Sequence, residues 1–307
     1  MPEEVVAALS PRPGGVYVDA TAGLLGHTRL LLAAAEDCRV IAIERDPRVL
    51  AEAQRFLQDD AALAARIELI QGSYAELEMI LDRAGVERID GVIFDLGANS
   101  LQFDRGEYGF SFQQDGPLSM LFDPQSGETS AEEFVNRADE RTLADVIYRY
   151  GEERASRKVA RAIVEARRRR PLRTTFDLAQ VVRSVVRKSQ RDRQDECVRT
   201  FQALRIYCNR EFEHLKQGLP AAINRLAAGG TAATLSFHSG EDRICKQIMR
   251  QAAGKLTEIH EAPVPEVEFK GEFELVWKKP QLPTPAEMSL NPRSRSAKLR
   301  AIRRVSG

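Results

Sequence analysis

The sequence predicts an α/β fold in which a mostly parallel sheet is interrupted by a helical insertion. Three observations predict it: short apolar runs closing on acidic or small polar residues over about the first hundred positions, helical patterns between those runs, and a long middle stretch with few strand signals. Short strands separated by helices need crossover connections, which make neighbouring strands parallel and place helices on both faces of the sheet.

In chain order, residues 16–19 read as the first strand, 30–35 as a helix, and 39–43 as the second strand, closing on Glu44-Arg45-Asp46-Pro47. Residues 49–56 read as helix and 67–70 as the third strand, followed by Gln71-Gly72-Ser73-Tyr74. Residues 75–84 read as helix, and 91–94 as the fourth strand, ending at Asp95. From about 105 to about 198 the pattern is loop and then helix. Ala155, Val159, Ile163 and Ala166 recur at helical spacing with Arg and Glu between them. Pro171 stops that helix, and Thr174-Thr175-Phe176-Asp177 offers a hydroxyl or carboxylate to cap another. Strands return at 231–237, after a Gly229-Gly230 turn, and at 272–278, where Trp277 reads as core of the last strand. The basic tail from Asn291 is expected to run over the surface.

With 307 residues, the chain suits one large domain or two modest ones, and its 43% hydrophobic and 29% charged residues fit an ordinary globular protein. Cys38, Cys197, Cys208 and Cys245 are scattered, with no C-x-x-C pair and no His at zinc spacing. Neither a disulfide framework nor a metal site is therefore expected. No apolar run approaches the roughly 18–20 residues of a membrane span, and the N-terminus lacks the pattern of a secretory leader. These readings point to a cytoplasmic protein without a membrane partner.

Net charge is zero, yet it is unevenly spread. Residues 141–193 hold 16 Lys/Arg against 6 Asp/Glu, and residues 291–307 hold 6 Lys/Arg and no acid. Two separate basic segments point to a polyanion such as nucleic acid.

In open α/β sheets, ligands bind beyond the carboxyl ends of the strands. Asp19-Ala20-Thr21-Ala22-Gly23-Leu24-Leu25-Gly26-His27 follows the first strand there. Its spacing is not G-x-G-x-x-G, which argues against a dinucleotide and leaves room for a cofactor without phosphate, such as S-adenosylmethionine. Glu44 can accept hydrogen bonds from both ribose hydroxyls, Tyr74 can pack against adenine, and Asp95 can hold either the adenine amine or the methionine amino group. This pattern alone would fit many nucleotide-binding enzymes.

Longer motifs narrow the reading. Tyr17-Val18-Asp19-Ala20-Thr21, Gly26-His27, Asp95-Leu96-Gly97, Gly109-Phe110-Ser111-Phe112 and Asp115-Gly116-Pro117-Leu118 occur in that order. Tyr150-Gly151-Glu152-Glu153-Arg154, Arg199-Thr200-Phe201-Gln202-Ala203-Leu204-Arg205-Ile206, Ser236-Phe237-His238-Ser239, Glu241-Asp242-Arg243-Ile244 and the block from Asn291 to Arg300 follow. From about Pro2 to the C-terminus the chain resembles the RsmH (MraW) family of 16S ribosomal RNA cytosine-N4 methyltransferases.

That resemblance implies a class I (Rossmann-like) methyltransferase sheet, 1–104 with 199–307, carrying an inserted helical RNA-recognition domain, 105–198. It implies S-adenosyl-L-methionine as donor, and as acceptor a decoding-centre cytosine of small-subunit ribosomal RNA within the small ribosomal subunit. It leaves the oligomeric state open, with a homodimer among the options. The family's cofactor contacts fall on Leu25, Gly26, His27, Glu44, Tyr74, Asp95 and Gln102, and the neighbouring Gly23 belongs to the same loop.

The chain departs from the family pattern at several places. Leu25 replaces a glycine, Glu44 an aspartate, Asn99 a serine and Gly240 a leucine, while Ser119 and Leu121 replace an acid and a base. Asp195-Glu196-Cys197-Val198 stands for the usual His-Pro-Ala-Thr. Leu25, Ser119 and Leu121 motivate an alternative in which a diverged member binds ribosomal RNA or ribosome precursors without catalysis. Another alternative is methylation of a different RNA base or of a small molecule.

A cytosine amine is a poor nucleophile, because its lone pair is delocalised into the ring. It must be held in line with the donor methyl while a nearby acceptor takes its protons. Asp95, the Asn99 side-chain oxygen and backbone carbonyls near the fourth strand are the candidate acceptors, with Asn99 or a carbonyl on the amine and Asp95 on the cofactor. His238 reads either as a general base or as a structural or RNA-contacting residue.

Overall fold

Helix α1 (Pro2–Leu9) opens the chain, followed by β1 (Val16–Asp19), α2 (Gly26–Ala34), β2 (Arg39–Glu44), α3 (Pro47–Gln58), the one-turn α4 (Ala61–Ala64), β3 (Ile67–Gln71), α5 (Leu77–Arg83) and β4 (Ile89–Asp95). The short α6 (Ser100–Asp104) comes next, then α7 (Ala131–Arg137), α8 (Glu140–Gly151), α9 (Ser156–Arg169), α10 (Thr175–Val185) and α11 (Val198–Cys208). The chain closes with α12 (Glu211–Arg225), β5 (Leu226–Ser236), α13 (Ser239–Ala252), β6 (Glu272–Leu275), α14 (Pro285–Leu290) and β7 (Lys298–Ser306). These elements come from a computed structural model that describes residues 1–186, 195–255 and 267–306. Arg187, Lys188, Arg191 and Arg193 of the central basic segment lie outside the described residues.

Two compact units divide the chain. One holds residues 1–97 and 212–307, the other residues 98–211. The boundaries expected at 104/105 and 198/199 both fall inside the second unit. The loop signal that begins near residue 105 is preceded by α6, which already belongs to that unit, and α11 continues it past residue 199.

The first unit is a seven-stranded sheet of order β3-β2-β1-β4-β5-β7-β6. β1 pairs in parallel with β2 and β4, β2 with β3, and β4 with β5, whereas β7 runs antiparallel to both β5 and β6. Side chains alternate across a strand, so each strand feeds two cores. Val18, Ile41, Ile43, Val92, Phe94 and Ile302 join one apolar cluster with α5, α12 and α13. Tyr17, Val40, Ala42, Ile93, Leu299 and Ala301 join the other with α1 and α2. Apolar burial of this kind contributes about 25 cal/mol per Å² removed from water, and both faces of the sheet receive it.

The tail corrects the expectation of a surface segment. β7 lies inside the sheet between β5 and β6, and Leu299, Ala301 and Ile302 are buried. The net charge of the tail hid its alternation. Arg300 and Lys298 are neutralised by Asp242, at 2.7 Å from Arg300 Nε and 3.2 Å from Lys298 Nζ. The buried Arg304 donates to the Leu226 carbonyl. The Gly229-Gly230 pair is likewise no turn between elements. It lies within β5, where the β4–β5 register shifts. Trp277 follows β6 rather than sitting in it, and is partly buried against the second apolar cluster.

The second unit is helical. α9 buries Val159, Ala160 and Ile163 and ends before Pro171. α10 begins with a capping box in which the Thr174 hydroxyl accepts the Asp177 N–H and the Asp177 carboxylate accepts the Thr174 N–H. Leu121 and Cys197 are buried here and act as packing residues. Burial pushes the Cys197 thiol up to about 12, which keeps it protonated and unreactive.

Candidate active site

The parallel register brings the tips of β2, β1 and β4 side by side, and the loop after β1 is laced across them. The Ala20 N–H donates to the Ile93 carbonyl and the Ala22 N–H to the Ile43 carbonyl, each at 2.9 Å. The Asp95 N–H donates to the Thr21 hydroxyl at 2.7 Å. Asp19, fully buried, accepts from the Thr28 hydroxyl at 2.7 Å and so ties α2 to β1. Desolvation raises the Asp19 pKa above the ordinary carboxylate value. The sequence pattern held Thr21 within its motif without a role and did not reach Thr28, because a threonine hydroxyl carries no spacing signal.

Glu44 ends β2 and is only 8% exposed. One carboxylate oxygen accepts the Gly23 N–H at 2.9 Å and the other accepts the Asp46 N–H at 2.8 Å. The Arg45 N–H also bonds this carboxylate, and of its roughly four lone-pair sites one remains for a ligand. Burial pushes this carboxyl up to about 7, although the same N–H groups favour its ionised form.

Asp95 ends β4 and faces His27, with Oδ2 at 3.4 Å from Nε2. Burial alone would lower the His27 pKa, but the Asp95 carboxylate outweighs it and the ring ends above its ordinary value. Asp95 Oδ1 and His27 Nδ1 are buried and lack hydrogen-bond partners among the described residues. Buried polar atoms without partners are costly and rare, and two on facing residues mark a place where a polar ligand belongs.

Leu25 takes the left-handed conformation, φ +65°, that glycine favours, and α2 starts directly after it. Its side chain is fully buried in the apolar cluster of α1 and α2 and does not line an open cleft. A left-handed backbone costs a non-glycine residue roughly 1–2 kcal/mol. Truncating a buried leucine costs about 2–5 kcal/mol. Lost packing therefore outweighs relieved strain, and Leu25→Gly is expected to destabilise the protein by about 1–3 kcal/mol in urea unfolding. A stabilised variant would show that backbone strain dominates.

Tyr74 follows β3 and meets Phe94 edge-on, with centroids 5.4 Å apart. Its backbone lies so close to α12 that a Cβ at Gly218 would sit 2.4 Å from the Tyr74 carbonyl oxygen. His214, also on α12, meets the Tyr74 ring at 6.4 Å, and its Nδ1 is 2.9 Å from the Ser73 hydroxyl. The sequence pattern did not point to His214, because nothing before the fold connects residue 214 with the tip of β3.

Asn99 and Gln102 belong to the other compact unit. They form the capping box of α6: the Asn99 side-chain oxygen accepts the Gln102 N–H, and Gln102 Oε1 accepts the Asn99 N–H, each at 3.0 Å. Asn99 is thus a helix cap whatever else it does.

His238 is the N-cap of α13. Its Nδ1 accepts the Glu241 N–H at 3.4 Å, and Nε2 lies 2.8 Å from Glu241 Oε1. This is a structural role. Gly240 also has a packing reason, since a Cβ there would lie 2.6 Å from the Phe212 ring. Among the described residues, no group of His, Cys, Asp or Glu could hold a metal ion.

The pattern that defines the MraW methylase family matches residues 1–305. The chain belongs to the MraW methylase family. A protein named ribosomal RNA small subunit methyltransferase H from a Methylobacterium strain is 48% identical over 292 residues, covering 95% of this chain and 85% of that protein. The protein of the same name from Rhodospirillum rubrum is 47% identical over 311 residues, covering 99% and 93%. The strand order, with β7 alone reversed, is that of a class I methyltransferase. In this MraW family member, Leu25 itself holds the left-handed conformation that glycine favours.

Proposed function

We propose that this chain transfers a methyl group from S-adenosyl-L-methionine to the exocyclic N4 of a decoding-centre cytosine in small-subunit ribosomal RNA. The observation that carries the reading is the pairing of a buried carboxylate at the tip of β2 with unpartnered buried Asp95 and His27 atoms at the tip of β4 and the start of α2, in a chain of the MraW methylase family. These residues suit an adenosyl donor: Glu44 for the ribose hydroxyls, Tyr74 beside the adenine, and Asp95 for an amine, with Gly23, Leu25, Gly26 and His27 forming the loop and Gln102 a further contact. When bound, the donor supplies a sulfonium methyl activated for direct displacement.

The protein's task is then to position and to accept protons. Orienting the amine toward the methyl is worth about 7–11 kcal/mol at best. The amine's protons need an acceptor, and we assign it to the free lone pair of the Asn99 side-chain oxygen or to a backbone carbonyl, with Asp95 reserved for the donor. A cytosine within folded RNA must be splayed out to reach such a site. The helical unit, residues 98–211, is the RNA-recognition part of this reading, gripping phosphates through its arginines. Among the described residues, no helix is long and apolar enough to cross a membrane, and the reading places the enzyme with its ribosomal substrate in the cytoplasm.

The test is transfer of labelled methyl to small subunits from a strain lacking the gene, followed by nucleoside mass spectrometry. N4-methylcytosine at one position is the expected product. Label on another base, or none, overturns the reading.

A further inference from the structure

The sheet unit carries a cavity of about 460 Å³ between the end of α13 and the strands β6 and β7. That volume lies within the range of small-ligand sites. Its lining is strongly basic: Lys246, Arg250, Lys255 and Lys278, together with Arg300. Arg300 is held by Asp242 and serves as a fixed wall. The other four cations have no carboxylate partner among the described residues. Lys246 and Arg250 are four residues apart on α13, which puts them on one helix face. Lys255 follows the helix end, and Lys278 follows β6. Met249 and Leu275 give the cavity an apolar floor, and Trp277 completes the wall.

Four cations without a carboxylate partner among the described residues, around an aromatic side chain, suit a phosphate-linked base. Cations pair with phosphates by releasing counterions, and an indole stacks with any base. A purely structural tryptophan would not need this collar of charge, and a solvated lysine face would not need an aromatic wall. We propose that this cavity holds one nucleotide of the RNA substrate, its base against Trp277 and its flanking phosphates on Lys246, Arg250, Lys255 and Lys278. The proposal rests on the reading that the acceptor is RNA. It adds a grip on the sheet unit to those that composition placed on the helical unit and on the basic tail.

Trp277 is the only tryptophan in the chain, so its emission reports directly on the site. Short polyuridylate is expected to quench it, and uridine monophosphate to do so only weakly. The triple variant Lys246→Gln, Lys255→Gln, Lys278→Gln is expected to bind labelled polyuridylate at least about 10-fold more weakly. Its slope of log affinity against log salt should be shallower by about 2, from roughly 0.7 per phosphate contact on single strands. Affinity for S-adenosylmethionine should stay unchanged. Trp277→Phe should retain RNA affinity, while Trp277→Ala should lose about 5- to 10-fold or more. An unchanged salt slope in the triple variant overturns the proposal, as does quenching by the free nucleotide equal to that by RNA. Methyl transfer by the wild-type protein, measured in parallel, separates the two failures: activity with an unchanged slope sinks this site alone, and absent activity sinks the reading beneath it.

Discussion

Asp95→Ala is expected to abolish methyl transfer while leaving the protein folded. Oδ1 has no partner among the described residues and Oδ2 faces His27 at 3.4 Å, so the carboxylate contributes little to the fold. Its loss should therefore shift the unfolding midpoint only slightly. A hydrogen bond to a charged group contributes about 1.5–3 kcal/mol, so cofactor affinity should fall by roughly 10- to 100-fold, with turnover lost as well. His27 provides an independent readout. Without Asp95, the burial that lowers its pKa is left unopposed by its nearest carboxylate, and the ring should titrate at lower pH. Calorimetry, transfer assays and the imidazole NMR titration together check this. A variant that binds and transfers normally would remove Asp95 from the site, and one that unfolds would make it structural.

The second large effect is on pH. The Glu44 carboxyl sits at about 7 in the unliganded protein, against an ordinary value of 4.5. The folded state therefore holds its proton more tightly than the unfolded chain does. This contribution to stability is full below the unfolded value and is lost as pH rises through about 7, on the order of 3 kcal/mol over the window. Cofactor binding has the opposite sign. Ribose hydroxyls donate to the ionised carboxylate, so affinity for S-adenosylmethionine should be full above about pH 7 and fall toward tenfold per unit below it. Protonated His27 beside Asp95 acts in the same direction, since it competes for the carboxylate that a donor amine would use. Glu44→Gln should weaken binding by roughly 10- to 100-fold at about pH 8 and flatten the pH dependence. Isothermal titration from about pH 5.5 to 8.5 measures both. A wild-type affinity independent of pH would mean that Glu44 does not meet the ribose.

Much of this site could be located from the chain alone. The β1, β2 and β4 runs are apolar and short and close on an acid, so Glu44 and Asp95 could be assigned to strand tips before any coordinates, and Tyr74 to the loop just past the third run. Local pattern suffices there because burial on both faces demands continuous apolar strands. The tail was misread for a related reason. Its arginines and lysine dominate the composition, while the alternation of Leu299 and Ala301 with charged neighbours spans only a few positions. Asp242, which neutralises Lys298 and Arg300, is far away in sequence, so the strand is stable only once α13 is in place.

What the sequence by itself determined is the alternation of strand and helix, the strand-tip carboxylates and the family. Apolar periodicity and local caps are encoded within a few residues of where they act. Only the tertiary structure decided that Leu25 belongs to the core, that Asn99 caps a helix, that His214 stands beside Tyr74, that the basic tail is an inner strand, and that Lys246, Arg250, Lys255 and Lys278 line one cavity with Trp277. Each of these depends on neighbours distant in the chain, and desolvation and charge pairing act on neighbours in space.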